Sequence, residues 1–239
     1  MGAVRLITAV SRDHVIGRRG TLPWRLPRDL AHFAEMTAGG TLVLGARSHA
    51  DNGGPLPGRA TVVVTARAAA VAAEAARRAA REWGAVAPLT AAPSVAAAVA
   101  VARASWPERD VWVCGGSRVY DEALRTPGLL DELVLTRVPL DVLPASEGED
   151  GSEDEDEVAL FPTTLAEREF PTLQRTQVLR DADELRLFGG SAAASAASAA
   201  SAASAASAAS AASAASAASA APVESLPELQ LRIEWRRRP

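Results

Sequence analysis

The sequence predicts an α/β fold: a single domain over residues 1–239, with a central, mostly parallel sheet flanked by helices and an antiparallel C-terminal strand. Three observations carry this expectation. From residue 5 to residue 139, short apolar runs alternate with segments patterned as helices. Glycine and proline punctuate the junctions, as at Gly45, Pro55, Pro57 and the pair Gly115–Gly116. Finally, residues 226–238 return to strict alternation, with Leu229, Leu231, Ile233 and Trp235 on one face of a half-buried strand.

The elements follow in order. RLITAV (5–10) is a buried strand. Pro27 opens a helix that runs to about Thr37, since proline lacks only an N–H that a first turn leaves unpaired anyway. TLVLG (41–45) is a second strand, followed by a helix or loop to Gly54 and a rigid turn, PLPGR (55–59). ATVVVT (60–65) is a third strand, and VAAEAARRAAREW (71–83) is made of strong helix formers. Ser94 caps the helix VAAAVAVARA. DVWVCGG (110–116) is a strand ending in two glycines, SRVYDEAL (117–124) a helix and LDELVLTRVP (130–139) a strand. Residues 168–188 read as further strand material.

Two stretches do not fit a core. Residues 144–157 form an acidic loop insert, because like charges at that density repel and cannot pack. Residues 190–223 are a Ser/Ala tract of three-residue repeats, and that period drifts against 3.6 and builds no apolar stripe. The tract is expected to be a flexible or partly helical insert before the last strand, 226–238.

Composition narrows the function classes. The formal charge of −4 becomes +4 once the eight acidic residues of 147–157 are set aside, so the remainder favours anionic small ligands. No dense basic cluster interleaved with aromatics points to nucleic acid. No apolar run reaches the length of a membrane span. The one cysteine, Cys114, rules out an internal disulfide, and with three histidines at no ligand spacing it predicts no metal site. The expectation is a cytoplasmic monomer acting on a small molecule.

Three motifs could carry chemistry. In LPWRLPRDLAHF (22–33), Asp29 shares a helix face with Leu30, Phe33 and Met36. An acid on an apolar stripe must be paired, hydrogen-bonded or ligand-facing; the alternative is an exposed first-turn acid that stabilises the helix dipole. Desolvation would raise its pKa and the helix N-terminus would lower it. In CGGSRVY (114–120), glycines between strand and helix leave the N–H groups of Ser117, Arg118 and Val119 free for an anion, or simply mark a turn. In GARSHADNGGPLPGR (45–59), Arg47 and Ser48 could bind phosphate and Arg59 a carboxylate, or the arginines are surface residues.

Taken in order, ITAVSRDHVIGRRGTLPWRLPRDLAHF, LVLGARS, PLPGRATVVVTAR, VWVCGGSRVY and DELVLTRV resemble dihydrofolate reductases over residues 3–138. The resemblance resumes weakly at LFP (160–162) and in the final strand. It implies a dihydrofolate-reductase-like fold and NADPH-dependent reduction of 7,8-dihydrofolate, with hydride to C6 and a proton to N5.

It also implies roles. Asp29 would grip the pterin and promote protonation, Trp24 would hold a water, Thr136 would bond the acid, and Leu22 would complete the catalytic group. Ala9, Leu30, Phe33, Asn52, Leu56, Arg59, Cys114 and Tyr120 would contact substrate, Arg59 through the α-carboxylate of the glutamate tail. VIGRRGTLPW (15–24) would be a loop closing over nicotinamide, touching it with Ile16, Gly17 and Leu22. Ala9, Gly45, Arg47, Ser48, Thr65, Arg67, Cys114, Gly115, Gly116, Ser117, Arg118, Val119 and Tyr120 would line the cofactor path.

Ala46 stands where the family carries an arginine, so Arg47, Arg67 or Arg118 would supply charge for the 2′-phosphate. Asn52 stands at a normally apolar position. Other readings are a same-fold reductase of a riboflavin-pathway pyrimidine and a catalytically degenerate binding protein. Removal of residues 191–221 is expected to leave steady-state turnover nearly unchanged; loss of soluble, active protein would make the tract structural.

Overall fold

A computed structural model of the chain describes residues 2–81, 87–143, 158–181, 186–187 and 229–238. The acidic run 147–157 and the Ser/Ala tract lie outside the described residues. The strands are β1 (Val4–Val10), β2 (Val15–Arg18), β3 (Trp24–Arg25), β4 (Thr41–Gly45), β5 (Ala60–Val64), β6 (Leu89–Ala92), β7 (Val111–Val113), β8 (Glu132–Arg137), β9 (Val158–Leu160), β10 (Thr172–Asp181), β11 (Arg186–Leu187) and β12 (Leu229–Arg237). The helices are α1 (Pro27–Met36), α2 (Ala46–Asp51), α3 (Ala68–Arg81), α4 (Val95–Ser105), α5 (Ser117–Arg125) and α6 (Thr163–Glu169).

An eight-stranded sheet in the order β10-β12-β8-β1-β7-β4-β5-β6 organises the molecule. From β8 through β6 all pairs are parallel, while β12 joins β8 and β10 joins β12 antiparallel. This is the predicted α/β architecture. Strands β4, β5 and β7 lie between neighbours and are apolar on both faces, as their near-continuous Val/Leu runs require. One core, holding Leu6, Val43, Val113, Leu133 and Leu135, packs against α4, α5 and α6. On the other face Ile7, Leu42, Leu44, Trp112, Val134, Ile233 and Trp235 meet Phe33 and Met36 of α1. Leu231, Ile233 and Trp235 are buried together, as the alternation of the last strand predicts.

The differences have local causes. α3 begins at Ala68 rather than 71. The strand expected at 110–116 ends at Val113, because Gly115 adopts φ +98, outside any strand conformation. The strand expected at 130–139 is shortened to β8. Residues 168–188 do not form one strand: Arg168 and Glu169 close α6, which Pro162 opens, and β10 begins at Thr172. β2, β3, β9 and β11 are too short to announce themselves and exist through pairing, β2 with β9 and β3 with β11.

Ser94 caps α4 as expected, its hydroxyl accepting from the Ala97 N–H at 3.2 Å. Replacing Ser94 with Ala should lower stability by about 1 kcal/mol, the usual cost of losing such a cap, as read by urea denaturation.

Candidate active site

The chain leaves β4 through α2 toward β5 on one side, and leaves β7 through α5 toward β8 on the other. β4 and β7 are neighbours. Connections that diverge from adjacent parallel strands open a crevice at their carboxyl ends. Here the Gly45 N–H donates to the Gly115 carbonyl at 2.7 Å, closing the floor of that crevice. The N-termini of α2 and α5 flank it, and neither has a side-chain cap. A side chain is excluded at Gly115 and would be only a tight fit at Gly116. A Cβ on Gly115 would stand 2.8 Å from the Tyr120 ring, and one on Gly116 would stand 3.3 Å from Ser48 Oγ. Together these features fit an anionic, phosphate-bearing ligand.

Asp29 sits in the first turn of α1, within hydrogen-bonding reach of Thr136 near the carboxyl end of β8. The residue is half-buried while its carboxyl points inward. Burial raises its pKa to about 6, and a hydrogen-bonding interaction with Thr136 opposes the rise. Thr136 is buried on β8, where it pairs with Ala9 of β1. Buried Trp24 has an indole N–H with no hydrogen-bond partner among the described residues. An unmet buried donor calls for a water or a ligand.

Tyr120 donates its hydroxyl to the Ile7 carbonyl at 2.9 Å, tying α5 to β1. Burial raises its pKa, and the neighbouring Cys114 and Asp29 add to the shift. Burial likewise raises the Cys114 thiol, with Arg59 opposing it. Arg59 is itself 9% exposed. Its Nη1 donates to Thr37 Oγ1 at 3.0 Å and its Nε to the Pro57 carbonyl at 3.1 Å. No carboxylate pairs with it among the described residues, and burial lowers its pKa. Asp29, Thr136, Tyr120, Cys114 and Arg59 thus form one chain of electrostatic neighbours.

The segment 11–25 is fastened to the body. Asp13 accepts from the Ser11 hydroxyl and from the N–H groups of Val142 and Leu143 at 2.8 and 2.6 Å. Burial pushes its pKa up, but these bonds outweigh it and hold Asp13 below the usual carboxylate range. His14, at φ +67, lies 2.9 Å through Nδ1 from the Thr163 hydroxyl, and its carbonyl accepts from the Phe161 N–H.

Other expected residues fall as follows. Ile16 is buried and Gly17 pairs with Ala159, whereas Leu22 is 44% exposed and joins no core cluster. Leu30 is half-buried; Phe33 and Leu56 pack on the core beside Cys114. Asn52 is the C-cap of α2, donating its N–H to the Ser48 carbonyl. Ser117, Arg118 and Val119 form the first turn of α5. Thr65 and Arg67 follow β5, the Thr65 hydroxyl accepting from the Arg67 N–H at 3.3 Å. Arg47 is exposed on α2, and its charge acts on Asp51. Sequence reasoning missed the Asp13 and His14 anchors, Thr37 beneath Arg59, and His32 behind α1. Only Ser11-x-Asp13 carried a local signal, that of a side-chain-stabilised turn. No group of His, Cys, Asp and Glu among the described residues could hold a metal ion. No helix among them is long and apolar enough to cross a membrane.

A profile of the dihydrofolate reductase family matches residues 3–147. The chain belongs to the dihydrofolate reductase family. It is 38% identical over 127 residues to the dihydrofolate reductase of Mycobacterium tuberculosis, covering 52% of this chain and 66% of that protein. It is 33% identical over 135 residues to the type 3 dihydrofolate reductase of Salmonella typhimurium, covering 56% of this chain and 71% of that protein. A solved dihydrofolate reductase from Enterococcus faecalis, complexed with NADP(H) and RAB-propyl, superposes with a TM-score of 0.54 at 20% identity. That alignment covers 99% of this chain and 96% of the other, and it speaks for the fold.

Substituting Gly115 with Ala in this reductase should destabilise it by ~1–3 kcal/mol, as strained backbone positions do, because φ +98 and the Tyr120 ring both oppose a Cβ. Thermal denaturation reads the loss; an unchanged Tm would contradict the close contact.

Proposed function

We propose that the chain reduces 7,8-dihydrofolate to 5,6,7,8-tetrahydrofolate with NADPH as reductant, C6 taking the hydride and N5 the proton. The observation that carries this reading is the inward Asp29 carboxyl beside Thr136, with the unpaired Trp24 N–H close by in sequence. It is a site for one flat heterocycle with ring N–H and amino donors. A carboxyl with a pKa of about 6 is mostly ionised at neutral pH yet can still hold a proton.

The residues present fit the cofactor. The uncapped starts of α2 and α5, the open edge at Gly116 and the exposed Arg67 and Arg118 suit a diphosphate and an adenosine phosphate. Bound NADPH supplies the hydride. Gly45, Ser48, Gly115, Gly116, Ser117 and Val119 would hold its phosphates; Ala9, Ile16, Gly17, Leu22 and Tyr120 would flank the nicotinamide.

On the substrate side Asp29 binds the pterin's ring N–H and amino group and, through a water held by Trp24, favours a proton at N5. Excluding bulk water strengthens each of these bonds. Thr136 keeps the carboxyl in one orientation. Leu30, Phe33 and Leu56 sandwich the rings, Cys114 and Ala9 offer backbone groups, and Asn52 borders the benzoyl ring. Arg59 is the natural partner for the glutamate α-carboxylate. A guanidinium this buried, with no acid partner among the described residues, binds a ligand carboxylate strongly. With Ala46 lacking a charged side chain, Arg67 and Arg118 carry the discrimination for NADPH over NADH.

Replacing Asp29 with Asn should lower kcat/KM for dihydrofolate by ~100-fold or more, in the range of a lost acid–base group, in an assay following NADPH oxidation. Retained activity would overturn the reading, as would turnover on a pyrimidinone alone. Equal efficiency with NADH would overturn the assignment of Arg67 and Arg118. The same substitution should raise stability. The folded state lifts the Asp29 pKa from 3.8 to about 6, so the folded protein binds the extra proton between those values. The ionised acid therefore penalises folding as pH rises through about 6. Asp29→Asn should gain Tm over the wild type at pH 7–8, with the gap closing below pH 4.

A further inference from the structure

The buried side of α1 carries a second titratable group that the reaction does not use. His32 lies one turn beyond Asp29 and is 8% exposed. Its Nε2 has no hydrogen-bond partner among the described residues. The ring meets Trp235 of β12 edge-on, with centroids 6.0 Å apart and planes at 89°. On the same Trp235 ring rests the Arg175 guanidinium of β10, 4.6 Å from the centroid. His32 is thus the polar wedge between the helix that bears Asp29 and the antiparallel edge hairpin.

The charged groups that face it are few. On its own helix Glu35 favours a charged imidazole, and on β10 Arg175 disfavours it; burial, the largest influence, also disfavours it. On β12 the contact is Trp235, which does not titrate in this range, and behind it β8 offers Val134, its register partner. Glu234 and Arg236 alternate to the opposite face of the sheet, where they pair with each other at 3.0 Å.

We propose that neutral His32 is a positioning residue, and that its protonation loosens α1 from the β10–β12 hairpin and displaces the Asp29 carboxyl. A charged imidazole here would have an N–H with no acceptor among the described residues and a guanidinium across the Trp235 ring, while Glu35, the anion that favours its charge, is exposed on the helix. Moving outward relieves all of this, and α1 moves with it. The functional part rests on the reading of Asp29 as the substrate acid; the structural part does not.

The test uses the full chain and His32→Phe, which keeps an aromatic ring against Trp235 and cannot titrate, with His32→Gln as a second neutral variant. Imidazole, Trp235 indole and Asp29 carboxyl signals are followed by NMR from pH 8 to pH 4, and NADPH oxidation with dihydrofolate is measured alongside. In the wild type the Trp235 signal should show an inflection coincident with the His32 titration, and the Asp29 carboxyl signal a second step there beside its own titration; both variants should lose the Trp235 inflection and that second step. Below that inflection the wild type should lose about tenfold more of its neutral-pH kcat than either variant, within the ~100-fold that a small misplacement of a reacting group can cost. Asp29 and Trp235 titrating identically in all three proteins would overturn the proposal. So would wild-type kcat falling in parallel with the variants. If none of the proteins reduces dihydrofolate, the reading of Asp29 fails while the NMR arm still decides the coupling.

Discussion

Everything at this site depends on keeping one carboxyl away from water. Asp29 occupies the first turn of a helix, where unpaired N–H groups lower an acid's pKa, yet its side chain turns into the protein and its pKa goes up to about 6. Desolvation is the stronger influence, and the Thr136 hydrogen bond is the one that opposes it. Such a group costs stability whenever it is ionised. The cost is tolerated where a ligand with matched donors replaces the lost water, which is the sense in which an active site stores strain.

The fold supplies the means. Parallel strands bring β1, β7 and β4 to one carboxyl edge, and diverging connections leave a crevice there. The acid hangs over one end of that edge on α1 and is steadied by Thr136 from β8. Two uncapped helix starts open at the other end. The Tyr120 hydroxyl on Ile7 and the Gly45–Gly115 hydrogen bond join the two halves. The segment 11–25 is held by Asp13 and His14 at its entry and by β3–β11 pairing at its exit. A heterocycle and a nucleotide laid along this edge would meet near Ala9 and Cys114, as the proposed reaction requires.

Much of this was legible from residue patterns. Pro27, Ser94 and the alternation from Leu231 to Trp235 announce their elements through local chemistry, and each element formed. Asp29 is conspicuous in the sequence because an acid on an apolar stripe needs a partner or a ligand. What periodicity could not reveal depends on distant partners. Two-residue strands such as Trp24–Arg25 and Arg186–Leu187 exist only as a pair. α6 was hidden because TTLAERE follows a proline and is too short to show a helical stripe. The sign of the Asp29 shift required knowing which way the side chain turns. Thr37 beneath Arg59 and Trp235 against His32 join positions far apart in the chain. Leu22 illustrates the converse, a residue marked by its motif that stands exposed.

The most direct test of the central claim is a crystal structure of the full chain with dihydrofolate and NADP⁺. The account predicts the Asp29 carboxylate within hydrogen-bond distance of the pterin ring nitrogen and amino group, with a water on the Trp24 indole. A ligand bound elsewhere, with Asp29 turned to open solvent, would contradict it.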